Sequence, residues 1–334
     1  MFKIYREKYK YIMTPDVNII ERTPICLKHT FNGTLVAHQG KYSNVVDDIS
    51  KCRIINIYRN SLEPAPLCNL TSKEITVTGK IADPTASKHI YINEYKEDPR
   101  VFTFKDQLYI SYNKVHLGDK GYVTDVKVFY SRLNKDLTPD PEELTLPIPT
   151  NLWEKNWLYF QHNDELCMIY SIYPLRVYSS QGHVIKDMDW IHPYDKDVQT
   201  DNITKRFINK NMVDLKQFRR ASALFYKQGF TFDIRGGAPP VYVEDMYYLF
   251  AHSREMPGAK YDMIVVVLDS NLNIYGATYP LKIADDKRII YPSGALYDRK
   301  TSTWYISCGI DDIEQSLISM THEFLKSKII CIKG

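Results

Sequence analysis

No stretch of this 334-residue chain is apolar for long enough to cross a bilayer as a helix, and no apolar segment follows the basic, aromatic residues Met1 to Lys10 as a secretory signal requires. The expectation is a cytoplasmic chain. Cys-x-x-Cys pairs are missing too: Cys26, Cys52, Cys68, Cys167, Cys308 and Cys331 are scattered. That argues against a zinc site and a dense disulfide framework, and leaves reduced thiols as the default. The nine histidines lack metal-ligand spacing, no Gly-x-Ser-x-Gly occurs, and Gly236-Gly237 is too short for a phosphate-binding glycine loop and lacks the helix that should follow. No cofactor and no obligatory metal are expected. Charge of one sign is also scarce, since 43 Lys+Arg against 40 Asp+Glu leave a net +3 without one-sided clustering, which discounts DNA and RNA as partners. The sequons at Asn32, Asn69 and Asn202 read as chance without a secretory signal.

What the chain has in quantity is aromatic residues, with 26 Tyr and 13 Phe, a usage that favours strands. Helical periodicity is confined to Asn211 to Tyr226. A unit recurs instead: a small or polar loop, a strand, a tight charged turn, an aromatic-rich strand. Its copies open at Phe31-Asn32-Gly33, Asp98-Pro99-Arg100, Lys155-Asn156-Trp157, Gly236-Gly237-Ala238-Pro239-Pro240 and Tyr291-Pro292-Ser293-Gly294. Lys105-Asp106, Asn163-Asp164, Glu244-Asp245 and Asp298-Arg299-Lys300 supply hairpin turns. Leu137 to Pro149, with its prolines and acids, reads as an exposed connection. The pattern predicts an all-β fold over residues 1–334 as one domain. Sheets set radially around an axis would bring Asn32, Asp98, Lys155, Arg235 and Pro292 to one opening.

Glu97-Asp98-Pro99-Arg100 then stands out, because an acid, a rigid proline and a cation precede a strand-like run, Val101 to Asn113. Pro99 fixes its own φ and biases Asp98 toward extended backbone on a stiff loop, and a fixed carboxylate suits proton transfer. An isolated Asp-Pro-Arg is more often a turn with a surface ion pair. Arg59, Arg100, Lys155, Arg176 and Arg235, with His252 as a polar partner, are candidates to hold phosphate, for which the arginine fork is suited. Trp153, Trp157, Tyr173 and Tyr291 are candidate sugar platforms, with packing between sheets as the competing role.

In this order the motifs resemble the β-mannoside phosphorylases and related mannosyltransferases. Glu97-Asp98-Pro99-Arg100 is similar to that family's Glu-Asp-Pro-Arg signature, Glu154-Lys155-Asn156-Trp157 to its Lys-Asn-Trp loop, and Gly236 to Pro240 with Tyr248 to Ser253 to its Gly-Gly-x-Pro-Pro segment and later Tyr-His-Gly. Tyr170 to Pro174 and Tyr291 to Gly294 with Gly309 to Asp312 continue the match. Leu175, Ala251-His252-Ser253 and Phe31-Asn32-Gly33 depart from it. The resemblance implies a five-bladed β-propeller and an inverting displacement with Asp98 as the single acid or base. It further implies sugar contacts from Asn32, Glu97, Asn156, Trp157, Tyr173, Gly237, Tyr291, Asp311 and Asp312. The expected function is transfer of a mannose-like hexose between a phosphate-activated donor and a carbohydrate acceptor. A degradative phosphorylase, an inverting hydrolase using Asp233, Asp311 or Asp312 as second carboxylate, and a non-catalytic sugar-binding propeller remain alternatives.

Overall fold

A computed structural model of the chain describes residues 21–24, 30–60, 69–76, 82, 88–91, 95–119, 122–192, 231–256, 260–281, 283 and 289–332. Expectations for Met1 to Lys10, Cys26, Cys68, Asn202 and the 211–226 helix lie outside these residues. The described strands form five sheets. They follow one another along the chain as the blades of a five-bladed β-propeller.

Each blade begins with a strand nearest the axis. In blade one this is Thr30–Gln39, in blade two Lys96–Phe104, in blade three Leu158–His162 and in blade five Ile290–Asp298. In blade four the position is split between Thr231–Arg235 and Val241–Val243, both paired to Met246–Met256. The hairpin turns fall where the sequence predicts. Lys105-Asp106, Asn163-Asp164 and Glu244-Asp245 all take positive φ, the backbone that two-residue hairpins require and that Asn and Asp tolerate.

Alternation explains how the blades pack. Successive strand side chains point to opposite faces, so neighbours in sequence belong to different interfaces. Leu35 packs against Leu296 and Leu317 of blade five, whereas Val36 packs with Val101 and Ile110 of blade two. Val101 faces blade one, and Phe102 faces Trp157 and Tyr159 of blade three. Leu158 faces Ile234 and Leu249 of blade four, while Phe250 faces Trp304 of blade five. The five hydrophobic clusters therefore occupy the five blade-to-blade seams, including the seam from five back to one.

Two terminal strands add to different blades. Glu21–Pro24 pairs with Glu314–Thr321 as an edge of blade five, and Ile329–Cys331 pairs with Ile274–Thr278 of blade four. Residues 137–149 are not the exposed connection their composition suggests. Leu144 pairs with Tyr130, Pro139 with Leu133, and Leu137 and Leu146 are buried, so the segment forms the outer edge of blade two.

Candidate active site

The starts of three of the five axial strands are irregular in a related way. In blade two the register passes from Glu97↔Asn113 to Arg100↔Ser111, which leaves one extra residue on the Asp98 strand. Blade one does the same between Phe31↔Arg59 and Thr34↔Ile57, and blade five between Pro292↔Cys308 and Gly294↔Ser307. Such one-residue bulges re-aim side chains out of the ladder. Asp98 and Asn32 both sit at φ 51° on them, and Asn156 takes φ 66° just ahead of the blade-three strand. Glu97 to Arg100 therefore lies within a strand rather than on a loop before one, and the bulge turns Asp98 to left-handed backbone instead of the extended form its proline neighbour favours.

These bulges bring the axial residues together. Asn32 Nδ2 donates to Asp98 Oδ1 at 2.6 Å, and Asn113 Nδ2 donates to Asp98 Oδ2 at 3.0 Å. Arg100, only 1% exposed, ties four blades together. Its Nη1 donates to the Asp98 carbonyl at 3.0 Å, its Nε to the Gly237 carbonyl at 2.7 Å, and its Nη2 to Asn156 Oδ1 at 3.0 Å and to the Tyr291 hydroxyl. The Tyr291 hydroxyl in turn donates to Asn156 Oδ1 at 2.8 Å. Gly237 fits this crowding because a Cβ there would lie 2.6 Å from the Pro292 carbonyl and closer still to that of Phe250.

Burial alone would raise the Asp98 carboxyl, but the charges of Arg100, Lys155 and Arg59 and the Asn32 hydrogen bond outweigh it and hold the group below the usual carboxylate range. Arg59 and Lys155 share Glu97, at 3.2 Å and 3.3 Å. Arg235 is held by Asp233 at 2.8 Å and is the register partner of His252.

His252 is buried with its ring centroid 4.7 Å from that of Tyr291. Burial lowers its pKa to about 3, the charges of Arg100, Arg235 and Arg254 push the same way, and Asp98 opposes them. It is a neutral imidazole in a cationic field, and among the described residues its Nδ1 has no hydrogen-bond partner. Asp312 faces this group from blade five. Burial raises its carboxyl, Asp98, Asp311 and Glu97 add to the rise, and Arg59 opposes it. Asp311 instead closes the backbone, its Oδ1 accepting from Ile289 N–H at 2.9 Å.

The structure thus gathers Asn32, Arg59, Glu97, Asp98, Arg100, Lys155, Asn156, Arg235, Gly237, His252, Tyr291 and Asp312. Besides Asp311, expected members that sit elsewhere are Trp153, exposed beside Val126 on blade two, and three more. Trp157, 1% exposed, packs into the seam between blades two and three and donates to Glu154 at 3.2 Å. Tyr173 packs edge-on against Trp190 at 5.2 Å. Arg176 is on the third strand of its blade, 3.3 Å from Asp187. Asn113 and Arg254 are members that the sequence reading missed. Counting back across the Lys105-Asp106 turn is the signal that could have found Asn113, since it places this residue opposite Asp98, one position from the Glu97 partnership that the bulge creates. Among the described residues no three His, Cys, Asp or Glu side chains converge as metal ligands.

No protein-family model matches the sequence, and no curated protein matches it. Solved structures do match in fold. A mannose phosphorylase from Leishmania mexicana, in complex with phosphate, aligns with 11% identity over 99% of this chain and 96% of its own, at a TM-score of 0.54. A β-1,2-mannobiose phosphorylase from Listeria innocua aligns with 13% identity over 95% and 94%, at 0.53. A GDP-Man-dependent mannosyltransferase from Leishmania mexicana aligns with 11% identity over 99% and 98%, at 0.53. The shared property is the five-bladed propeller.

Proposed function

We propose that the protein is an inverting sugar-transfer enzyme that moves a mannose-like hexosyl group between a phosphate-activated donor and a carbohydrate acceptor. The observation that carries this reading is the pairing of one carboxylate, Asp98, held by Asn32 and Asn113, with the buried His252, whose Nδ1 has no hydrogen-bond partner among the described residues and which lies in the field of Arg100, Arg235 and Arg254. Arg100, Arg235 and Arg254 provide the positive field there, and donors aimed at developing phosphate charge stabilise a transition state in a low-dielectric site. The three proteins of similar fold, all named for mannose chemistry with phosphate or a nucleotide sugar, support the same substrate class.

A carboxylate held low is ionised at neutral pH and acts as a base. In the synthetic direction Asp98 takes the proton of the acceptor hydroxyl, directly or through a neighbouring sugar hydroxyl, while the acceptor oxygen attacks the anomeric carbon and the phosphate leaves. In the reverse direction phosphate attacks and the departing sugar oxygen needs a proton. Bound phosphate then offsets the arginine field, which raises the Asp98 pKa and favours its acid form. A hydrolytic reading is favoured by one observation, a second carboxylate, Asp312, near enough for the charge of Asp98 to raise it.

A thermal-shift screen tests the reading, because a ligand of the folded state raises its melting temperature. Inorganic phosphate, mannose-1-phosphate and GDP-mannose are the probes. Stabilisation by one or more of them, abolished in H252A/R235M, is the expected result. GDP-mannose alone selects the transferase and phosphate the phosphorylase. Silence to all three, with sugars alone binding, would replace the proposal by the hydrolase or the sugar-binding propeller.

A further inference from the structure

Beyond the axial site, the rim of blade two carries an unusual pair of exposed apolar side chains, Leu152 at 66% and Trp153 at 58% exposure. Their frame is rigid. Val126 N–H donates to the Leu152 carbonyl at 2.9 Å, and Glu154 N–H donates to the Val126 carbonyl at 2.8 Å. Glu154 is buried and accepts from Asn151 N–H at 2.6 Å, Tyr170 at 3.1 Å and Trp157 at 3.2 Å. Both neighbours of the pair are thus locked while the pair faces solvent. A flexible loop could fold such side chains inward, but this one cannot.

Register fixes where the pair lies relative to Asp98. Trp153 pairs with Val126, Val126 pairs with Val115, and Val115 N–H donates to the Tyr95 carbonyl, three residues before Asp98. Trp153 is therefore at the height of the site's mouth, on the fourth strand position outward. Three strand spacings put it roughly 14 Å from the Asp98 strand. The chain then returns inward within three residues to Lys155 and Asn156, which reach Glu97 and Arg100. Farther up the adjacent strand, Tyr122 and Val123 are also exposed and extend the shelf.

We infer that Leu152 and Trp153 form a distal acceptor subsite, on which the outer sugars of an oligosaccharide stack while its terminal hydroxyl is at Asp98. This rests on the sugar-transfer reading of the axial site and adds that the acceptor is a chain rather than a monosaccharide. A flat aromatic face suits the C–H face of a sugar ring. A protein partner needs roughly 800 Å² on each side, more than these few side chains present. Continuity with the mouth supplies the direction of the bound chain.

The four tryptophans provide the test, since Trp157, Trp190 and Trp304 are buried and only Trp153 is exposed. Titration with mannose, mannobiose, mannotriose and mannotetraose should leave the emission unchanged with the monosaccharide and shift it with the longer chains. Calorimetry should show mannotetraose binding roughly tenfold weaker to W153A, with mannose-1-phosphate binding and melting temperature unchanged. W153Y should recover most of the loss. Affinity that does not grow with chain length, or W153A binding mannotetraose as the wild type does, overturns the subsite. If mannose-1-phosphate still stabilises the protein in that case, the axial reading stands without it. An emission shift that follows protein concentration and not sugar also overturns it, and assigns the shelf to a second copy of the chain.

Discussion

Arg100→Met removes the cation that joins blades two, three, four and five while keeping most of its apolar stem. Four acceptors lose their donor: the carbonyls of Asp98 and Gly237, Asn156 Oδ1 and the Tyr291 hydroxyl oxygen. Hydrogen bonds to a charged group contribute about 1.5–3 kcal/mol each, but four in one network do not add. Breaking a buried charged partnership costs about 3–5 kcal/mol, and about 4 kcal/mol is the expected destabilisation. For 334 residues the unfolding entropy is about 0.7 kcal/mol/K, so the melting temperature should fall by about 6 °C. Differential scanning calorimetry and urea unfolding read this directly. Because Arg100 is the largest influence lowering Asp98, the acidic limb of the pH–rate profile should also move to higher pH in the variant. Arg100→Lys keeps a charge without the planar fork and should fall between the two. A Met variant that melts within about 1 °C of the wild type would refute the reasoning, since it would mean that Arg100 does not hold the blades in register.

Glu143 gives a pH-dependent counterpart away from the reaction centre. It pairs with the buried Lys96 at 2.8 Å, accepts from Tyr112 at 2.9 Å and pairs with Lys114, contacts that override burial and lower it to about 2. A carboxyl lowered on folding stabilises the protein above its unfolded pKa, near 4.5, and that contribution fades as pH falls towards about 2. Denaturant unfolding should therefore show Glu143→Gln about 3 kcal/mol less stable at pH 7, with the gap closing across that window. A gap that is constant with pH would contradict it. Gly237→Ala drives a methyl group into two backbone carbonyls that cannot rotate away, and should cost about 3 kcal/mol or more in the same assay. Wild-type stability would show that this approach of blades four and five is wrong.

The blade count was legible because backbone breaks have chemical markers. Asn32-Gly33, Asp98-Pro99, Asn156 and Gly236-Gly237 stand where the axial strands bulge, begin or split, and Asn or Asp occupies the positive-φ positions. The meeting of Asn32, Asp98 and Asn156 around Arg100 followed from those breaks. What escaped was the direction of individual side chains. Trp157 and Tyr173 have the composition of sugar platforms, yet Trp157, just ahead of its strand, and Tyr173, in the turn after the next one, pack into the seams. Arg176 resembles the other cations but is two strands from the axis. Asn113 depends on cross-strand register, and Arg254 on the field that three arginines make around His252. The prolines and acids at 137–149 look solvent-seeking, whereas Leu137, Leu146 and Glu143 bind that segment to blade two.

The direct test of the account is sugar transfer by Asp98→Asn, measured with the donor that stabilises the wild type and a manno-oligosaccharide acceptor. Asparagine keeps the shape and can still accept from Asn32, but it can neither take nor give the proton. The account predicts turnover lower by about 10²- to 10⁴-fold with donor affinity nearly unchanged. Turnover within a few-fold of the wild type would contradict it, because the proton would then be handled elsewhere and the bulge on which Asp98 sits would have no catalytic role.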